Sequence, residues 1–375
     1  MEFRDLKKQY RVLQKEMDRA LLDAVAEGHY IMGPQVKELE TKLAEYVGVR
    51  HCLTCANGTD ALTLALKAWG IGPGDAVFVP DFTFFSSAEV VSLEGATPVF
   101  VDVQEDTFNL DPDDLEEAIR ETIASGSLKP RVIVAVDLIG QPAEYPRIRE
   151  IADRYGLRIL EDGAQGFGGE IAGRRACSFG DISTTSFFPA KPLGCYGDGG
   201  AVFTDNDDWA AMMASYRIHG KGTDKYDNVR IGLNSRLDTL QAAVLLVKFN
   251  AFAEYERDAV NEAAARYTTL LRDVAATPVV RNGYLSSWAQ YTIRLKDAAE
   301  RDAVQAALKA EGISAMVYYP RTMSAQTAFR SMGYLRHCPT AESLCERVLS
   351  LPMHPYLAEE DIDTVCRIIV ETIDR

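Results

Sequence analysis

One lysine lies where its amine could carry out covalent chemistry. Lys191 follows the strand-like run 183–187 and enters a loop with four glycines, at positions 194, 197, 199 and 200. Glycine lets the backbone approach a ligand closely, and an apolar site lowers the pKa of a lysine amine, which makes it nucleophilic near neutral pH. Such an amine can form a Schiff base with an aldehyde. Taken alone, Lys191 could equally be a surface lysine.

A carboxylate is predicted at the end of another strand. Asp162 follows the apolar run 157–160, and Glu161 before it is expected to point away. Asp162 could cap a helix or lie in a surface turn. Opposite a pyridine ring, it would instead keep the ring nitrogen protonated so that the ring accepts electrons. The pair predicts a pyridoxal phosphate site with Lys191 and Asp162 as its catalytic residues.

Residues 57–60, Asn-Gly-Thr-Asp, open a predicted helix after a short strand. The unpaired N–H groups and the positive dipole end of a helix bind phosphate, although an ordinary helix cap has the same pattern. Ser186 and Thr59 could add hydroxyl donors. Phe84 could stack on the cofactor ring, or it could simply belong to the core.

A basic segment stands out in an acidic chain. Residues 217–236 carry a local charge of +3, whereas the whole chain carries −15. This contrast predicts that an anion docks there, with a solvated loop as the alternative. Tyr318 and Tyr319 could line the same cleft. The basic residues of the segment are Arg217, Lys221, Lys225, Arg230 and Arg236.

Composition excludes several classes of protein. The 375 residues are 47% hydrophobic, enough for a large core. The charge of −15 argues against a nucleic-acid or anionic-membrane partner. The first residues do not resemble a signal peptide and no apolar run could cross a bilayer, so we expect a cytoplasmic protein.

The seven cysteines fit reduced thiols better than a disulfide framework. Cys52 and Cys55 form a C-x-x-C spacing that could suggest zinc or a redox pair. A zinc site needs a second ligand pair, and the remaining cysteines are scattered. The sequence therefore favours a buried strand here and predicts no metal site.

Apolar strands alternate with helices over much of the chain, which predicts an α/β fold with a mostly parallel central sheet and helices on both faces. In such sheets ligands bind beyond the carboxyl ends of the strands, where residues 57–60, 82–85, 162–165 and 186–191 fall. The predicted strands are 52–56, 76–80, 98–103, 131–137, 157–160, 183–187 and 201–204. The predicted helices are 6–27, 35–47, 61–69, 86–93, 112–124 and 145–155.

One long helix is predicted from residue 236 to about 273, because the segment is rich in Ala and Leu and lacks Gly and Pro. After it, strand-like runs at 288–295 and 313–319 and helices at 298–311 and 359–373 indicate a smaller α+β domain. We therefore predict a large cofactor-binding domain at 1–250 and a small C-terminal domain at 251–375.

Two blocks, residues 161–165 (Glu-Asp-Gly-Ala-Gln) and 186–191 (Ser-Phe-Phe-Pro-Ala-Lys), resemble those of the DegT–StrS family of sugar aminotransferases. The resemblance runs from residues 3–6 to residues 351–355. It implies a pyridoxal-phosphate-dependent aminotransferase with the type I fold of such enzymes. Two positions depart from the common family pattern, since Gly163 replaces an alanine and Pro192 an asparagine; Tyr318 departs from a histidine expected in the branch described below.

The resemblance also implies a role for each site residue. Lys191 binds the cofactor covalently and Asp162 pairs with its pyridine nitrogen. Gln165 hydrogen-bonds near the ring hydroxyl, and Phe84 stacks on the ring. The phosphate is held by Gly58, Thr59, Asp60 and Ser186, and by Asn234 from the partner subunit of a homodimer.

Residues 191–200 are most similar to the branch of this family that aminates C3 of UDP-2-acetamido-2-deoxy-3-oxoglucuronate. In that branch Arg230 pairs with the sugar carboxylate, and Tyr318 and Tyr319 are implied as substrate contacts. Glutamate is the implied amino donor, and such amino sugars enter surface polysaccharides such as O-antigen.

Alternatives of three kinds remain. The substrate could be a dTDP- or UDP-linked keto-deoxysugar without a carboxylate, aminated at C3 or C4. The protein could be a sugar dehydratase, although relatives that dehydrate carry histidine at the lysine position. It could also be a non-catalytic scaffold or a pyridoxal-binding regulatory protein, against which Lys191, Asp162, Gln165 and Ser186 together argue.

Overall fold

The computed structural model describes residues 1–224, 226–330 and 336–374. The strands are numbered in chain order, and seven of them form one sheet in the order β1-β9-β8-β5-β4-β2-β3. The strands are β1 (His51–Cys55), β2 (Asp75–Pro80), β3 (Thr97–Val101), β4 (Lys129–Val136), β5 (Arg158–Asp162), β6 (Glu170–Ile171), β7 (Arg174–Arg175), β8 (Ile182–Ser186), β9 (Gly200–Thr204), β10 (Tyr284–Leu285), β11 (Tyr291–Arg294) and β12 (Val348–Leu351).

Helices cover both faces of this sheet, so the predicted α/β fold is confirmed. The helices are α1 (Leu6–Glu27), α2 (Pro34–Val47), α3 (Gly58–Ala68), α4 (Ser86–Leu93), α5 (Pro112–Ser125), α6 (Tyr145–Tyr155), α7 (Asp207–Tyr216), α8 (Thr239–Ala251), α9 (Arg257–Leu271), α10 (Ala298–Ala310), α11 (Pro339–Arg347) and α12 (Glu359–Ile373).

The strand directions bring the predicted site segments to one edge of the sheet. β3, β2, β4, β5 and β8 pair in parallel, and β9 is antiparallel to both of its neighbours, β8 and β1. The carboxyl ends of β5 and β8 therefore meet the amino end of β9 at the same edge. Asp162 ends β5 and Ser186 ends β8, opposite Gly200 in the pairing register.

Residues 57–60, the first of the predicted site segments, begin helix α3 with a side-chain cap. The side chain of Asn57 caps α3 by accepting a hydrogen bond of 2.8 Å from the backbone N–H of Asp60. Behind this cap, α3 is buried over most of its surface. The apolar run 61–68 thus anchors the helix in the core and leaves its amino end at the site edge.

The helix predicted at 236–273 forms as α8 and α9, which are joined without a break by one π-helical turn, Phe252–Glu256. Beyond it, β11 and β12 pair antiparallel, and their apolar side chains cluster with those of α9, α10 and α12. Apolar residues between Met323 and Val348 pack instead with the core around β2 and β4. The domain boundary near residue 250 stays a prediction.

The strand predicted at 313–319 was wrong. Only one isolated bridge forms in this segment, between Met316 and Ser350. β12 pairs with β11 along one edge, the bridge at Met316 lies on its other edge, and the segment then turns away from β12 to bring Tyr318 and Tyr319 to the site. The short sheet of β10, β6 and β7 was not predicted.

Cys52 and Cys55 lie buried in β1, as the strand interpretation predicts. Burial raises the pKa of the Cys55 thiol to about 12 and that of Cys52 well above its ordinary value, which disfavours the reactive thiolate. Within the described ranges, no helix is long and apolar enough to cross a membrane.

Glu161, the neighbour of Asp162, points to the opposite side of β5 and organises a loop there, as predicted. Its carboxylate accepts hydrogen bonds from the backbone N–H groups of Cys177 (2.5 Å), Phe179 (2.7 Å) and Gly180 (3.0 Å) and from the Ser183 hydroxyl (2.7 Å). The side chain is fully buried. Glu161 therefore supplies acceptors that the buried loop backbone would otherwise lack.

Replacing Glu161 should consequently destabilise the fold. Because Glu161→Ala leaves three backbone N–H groups without their acceptor, we expect a loss of about 3 kcal/mol or more of unfolding free energy. Thermal or urea unfolding measures it, with Glu117→Ala on the exposed face of α5 as the control. An unfolding midpoint equal to that of the control would contradict the structural role.

Candidate active site

The carboxyl edge of the sheet opens into a cavity of about 410 Å³. Lys191 and Asp162 both line it, so the two predicted catalytic residues share one cavity. Gly58, Thr59, Phe84, Gln165, Ser186, Tyr318 and Tyr319 line it too. Among the described residues, Lys191 is the only cationic side chain that lines this cavity.

Asp162 is held as a buried acceptor. One carboxylate oxygen accepts a hydrogen bond from the Ser87 hydroxyl at 2.7 Å, and the other accepts one from the Ala164 N–H at 3.2 Å. Burial raises the pKa of Asp162, and Ser87, the charge of Lys191 and Ala164 oppose that rise. A buried carboxylate of this kind is stabilised by a cation brought into the cavity, which a protonated ring nitrogen would supply.

The loop that carries Lys191 is fixed by its own backbone. Phe187 N–H donates to the carbonyl of Gly199 at 2.7 Å, and Cys195 N–H donates to the carbonyl of Phe187 at 2.7 Å. From the N-terminal segment, the Arg4 guanidinium donates to the carbonyl of Pro192 at 3.2 Å. These bonds hold the backbone on both sides of Lys191.

The electrostatics of Lys191 favour a reactive amine. Burial lowers the pKa of the Lys191 amine, the Asp162 carboxylate raises it, and the nearby Arg4 lowers it. The net direction is downward, in agreement with the sequence prediction. A larger fraction of this amine is therefore unprotonated near neutral pH than of an ordinary lysine.

The amino end of α3 packs directly on Ser186 and forms a small cradle. A Cβ atom at Gly58 would lie 2.8 Å from the Cβ of Ser186, so only glycine permits this approach. The Thr59 and Ser86 hydroxyls lie 2.8 Å apart beside it. Backbone N–H groups, the helix dipole and these hydroxyls suit a phosphate group.

Both polar atoms of the Gln165 carboxamide form hydrogen bonds within the protein. Its oxygen accepts from the Ile139 N–H at 2.8 Å, and its nitrogen donates to the Tyr319 hydroxyl at 3.1 Å. Phe84 is 54% exposed and its ring centroid lies 6.3 Å from that of Tyr319. An exposed ring at the cavity wall is available for stacking on a bound aromatic group.

Three residues named from the sequence do not line the cavity of their own chain. The Asp60 N–H is engaged by the Asn57 cap, Asn234 is exposed on another loop, and Arg230 donates to the Ser215 hydroxyl at 2.9 Å. Their roles as cofactor and substrate contacts stay predictions.

The basic segment 217–236 is not one anion site. Arg217 is only 5% exposed and binds Glu40 at 2.6 Å, so its role is structural and its place in the predicted anion-docking cluster was wrong. Arg236 donates to the side-chain oxygen of Asn234 at 2.5 Å. Lys225 lies outside the described residues.

Several cavity residues were missed from the sequence. Ser86 and Ser87 could have been found, because they open a helix directly after the predicted ligand segment 82–85. Asp198 lies within the glycine loop and gave no separate signal. Gln290 lines the cavity from a distant part of the chain, and Arg4, which does not line it, reaches the loop that carries Lys191; no local pattern reveals either contact.

The residues present fit pyridoxal phosphate. The cradle at Gly58 and Ser186 suits the phosphate, Asp162 suits the ring nitrogen, Gln165 and Tyr319 suit the polar side of the ring, and Lys191 suits the aldehyde. The cavity thus offers one chemically matched partner for each functional group of this cofactor.

Comparison with known proteins agrees with this site. Residues 11–370 match the DegT/DnrJ/EryC1/StrS aminotransferase family. The chain is 43% identical to UDP-2-acetamido-2-deoxy-3-oxo-D-glucuronate aminotransferase of Pseudomonas aeruginosa, with 98% of each chain covered. It is 41% identical to UDP-N-acetyl-3-dehydro-alpha-D-glucosamine 3-aminotransferase of Acidithiobacillus ferrooxidans, covering 98% of this chain and 97% of the other.

A solved structure resembles the whole molecule. The crystal structure of a DegT/DnrJ/EryC1/StrS aminotransferase from Brucella abortus superimposes with a TM-score of 0.97 at 49% identity, over 100% of both chains. Aminotransferases of this kind are pyridoxal-phosphate-dependent, in agreement with the lysine, carboxylate and phosphate cradle described above. The chain is therefore a member of the DegT/DnrJ/EryC1/StrS aminotransferase family.

Proposed function

We propose that this protein transfers an amino group from glutamate to C3 of UDP-2-acetamido-2-deoxy-3-oxo-glucuronate, as a homodimer with shared active sites. The observation that carries the aminotransferase chemistry is the common cavity of Lys191 and Asp162. The more general activity, amination of a nucleotide-linked keto sugar, is supported by both relatives named above. The Pseudomonas relative supports the uronate as the specific substrate.

Several residues of the cavity have defined tasks in this reaction. Pyridoxal phosphate would supply an aldehyde that carries the amino group and a ring that withdraws electrons. Asp162, oriented by Ser87, holds the proton on the ring nitrogen. Gln165 and Tyr319 form a preorganised pair beside the ring, and the amino end of α3 holds the phosphate.

Lys191 is the acid–base group as well as the anchor. Its free amine would take up the proton from the α-carbon of glutamate and hold it, and in the second half of the reaction it would deliver a proton to C3 of the sugar. Its lowered pKa suits this task because the unprotonated amine is the base.

The position of Arg230 supports two parts of this proposal, the uronate substrate and the homodimer. The described cavity residues of one chain include no arginine, and Arg230 of the same chain is turned towards Ser215 and the ring of Tyr216, 5.7 Å from its centroid. An anionic sugar therefore needs a cation from elsewhere. Arg230 of a second chain would supply it, as Asn234 of that chain would supply a phosphate contact.

The surface around Arg230 suits a second copy of the chain. Ile231 is 91% exposed and Val229 is 52% exposed, on the same loop as Arg230. Neighbouring exposed apolar side chains on a soluble surface mark interaction sites. Burial of this loop against a partner would bring Arg230 and Asn234 to a shared interface.

Lys191→Ala tests the chemistry directly. Without the amine, the protein loses both the covalent hold on the cofactor and the base, so we expect the transamination rate to fall about 10³-fold or more. Steady-state assays with glutamate and the keto sugar measure the rate, and Lys37→Ala on α2 is the matched control. A Lys191→Ala protein with ordinary turnover would refute the assignment.

The charge coupling between Asp162 and Lys191 has a measurable pH consequence. The Asp162 carboxylate raises the pKa of Lys191, so neutralising it in Asp162→Asn should lower that pKa further. In protein freed of cofactor, the pH at which acetic anhydride half-maximally labels Lys191 should therefore move down, as measured by mass spectrometry. An unchanged or higher midpoint would show that the two groups are not coupled.

Arg230→Ala separates the two sugar classes. If Arg230 binds the sugar carboxylate, kcat/KM for the uronate should fall about 100-fold, because a charged partner is lost. The value for UDP-N-acetyl-3-keto-glucosamine, which has no carboxylate, should change little. An equal fall in kcat/KM for both sugars would favour a natural substrate that has no carboxylate.

Mixing two inactive variants tests the shared site. A dimer of one Lys191→Ala chain and one Arg230→Ala chain retains one site with an intact Lys191 and the partner's intact Arg230. Random mixing should then recover roughly a quarter of wild-type activity on the uronate, since half of the dimers are mixed and each has one site. Recovery of none would indicate that Arg230 acts within its own chain.

A further inference from the structure

The cavity contains a second carboxamide, Gln290, which no step above uses. Gln290 lies in the segment just before β11 and lines the cavity with Lys191 and Asp162. Its side-chain oxygen is buried and accepts no hydrogen bond from the described residues. A buried acceptor without a donor is unfavourable unless a ligand provides the hydrogen.

The backbone around Gln290 is fixed against the end of β4. Its N–H donates to the carbonyl of Ile139 at 3.3 Å, and the Ser287 N–H donates to the carbonyl of Gly140 at 2.9 Å. The Ser287 hydroxyl donates to the backbone carbonyl of Gln165 at 2.6 Å. The carboxamide is therefore attached to a rigid segment and needs little reorganisation to bind a ligand.

Close packing leaves this segment little freedom. A Cβ atom at Gly140 would lie 2.6 Å from the backbone nitrogen of Trp288. The Trp288 indole N–H in turn donates to the Asn261 side chain at 2.9 Å. The position of Gln290 at the cavity is thus set by contacts with two separate parts of the chain, the turn Leu138–Gly140 after β4 and helix α9.

Gln165 and Gln290 differ in whether their side-chain oxygens remain free to bind a ligand. The Ile139 N–H donates to the Gln165 side chain and the Ile139 carbonyl accepts from the Gln290 backbone N–H, so both residues contact the same residue beside the cavity. Gln165 uses its oxygen and its nitrogen within the protein, whereas the Gln290 oxygen is uncommitted. Gln165 therefore organises the site, and Gln290 is available for recognition.

We propose that Gln290 recognises the keto sugar by accepting a hydrogen bond from a donor on a carbon next to the ketone. This inference rests on the proposed function. A 3-keto sugar of the proposed kind carries an acetamido N–H on one neighbouring carbon and a hydroxyl on the other, and either satisfies the free oxygen. Glutamate uses its one donor, the amino group, in the transfer itself, and its two carboxylates are acceptors, so it has no donor left to satisfy this oxygen.

Gln290→Met tests the proposal because methionine keeps the length of the side chain and removes its polar atoms. The two half-reactions are measured separately from the absorbance of the cofactor-loaded enzyme. We expect the KM for the keto sugar to rise about tenfold, while the half-reaction with glutamate stays unchanged. Gln305→Met on α10, which makes the same chemical change away from the cavity, is the control.

Binding provides a readout that does not depend on turnover. By calorimetry, the Kd of UDP-N-acetylglucosaminuronate should weaken about tenfold in Gln290→Met, and the Kd of UDP should not change. Equal effects on the two half-reactions, or no effect on either, would overturn the role of Gln290. If the wild-type protein aminates no keto-sugar nucleotide, the proposed function itself fails, and the glutamate half-reaction and the calorimetry still report on Gln290.

Discussion

A buried carboxylate facing a lysine across one cavity is the interaction on which this site depends. Asp162 ends β5, and Lys191 follows β8, the next strand in the sheet. Parallel strands end at the same edge, so the topology alone brings these side chains together. Each changes the protonation of the other, since Lys191 opposes the rise in the pKa of Asp162 and Asp162 raises the pKa of Lys191.

Neighbouring side chains along β5 point to opposite faces of the sheet, so the cavity residue Asp162 and the structural residue Glu161 do not share one environment. Asp162 points into the cavity, and Glu161 points to the other side, where it holds the loop after β7. Asp137 is also buried, and burial together with the nearby Glu161 raises its pKa well above the ordinary value. The raised pKa of Asp137 favours its neutral form, which lessens the repulsion between like charges beside Glu161.

Local patterns and strand ends were enough to predict the α/β fold, the helices before and after β1, and the meeting of Lys191, Asp162 and the start of α3 at one cavity. These predictions succeed because burial patterns and helix caps depend on residues that are close in the sequence, as in the Asn57 cap of α3. The contacts of Arg4 with Pro192 and of Gln290 with Ile139 could not be predicted, because they join residues more than a hundred positions apart. The role of Arg217 was misjudged for the same reason, since its partner Glu40 lies far away in the sequence.

The segment 313–319 shows how packing can override strand propensity. Its β-branched and aromatic residues favour a strand, but the chain leaves the edge of β12 after one bridge at Met316. The chain then delivers Tyr318 and Tyr319 to the cavity wall, where Tyr319 holds Gln165. The segment therefore contributes side chains to the cavity and only one bridge to the neighbouring strand.

Reduction of the pyridoxal-phosphate-loaded protein with borohydride, followed by peptide mapping, tests the central claim most directly. The reagent fixes the cofactor to whichever amine holds it. We expect the phosphopyridoxyl group on Lys191 alone, and its loss from that position in Lys191→Ala. A label on another lysine, or none on any, would contradict the assignment of this cavity as the active site.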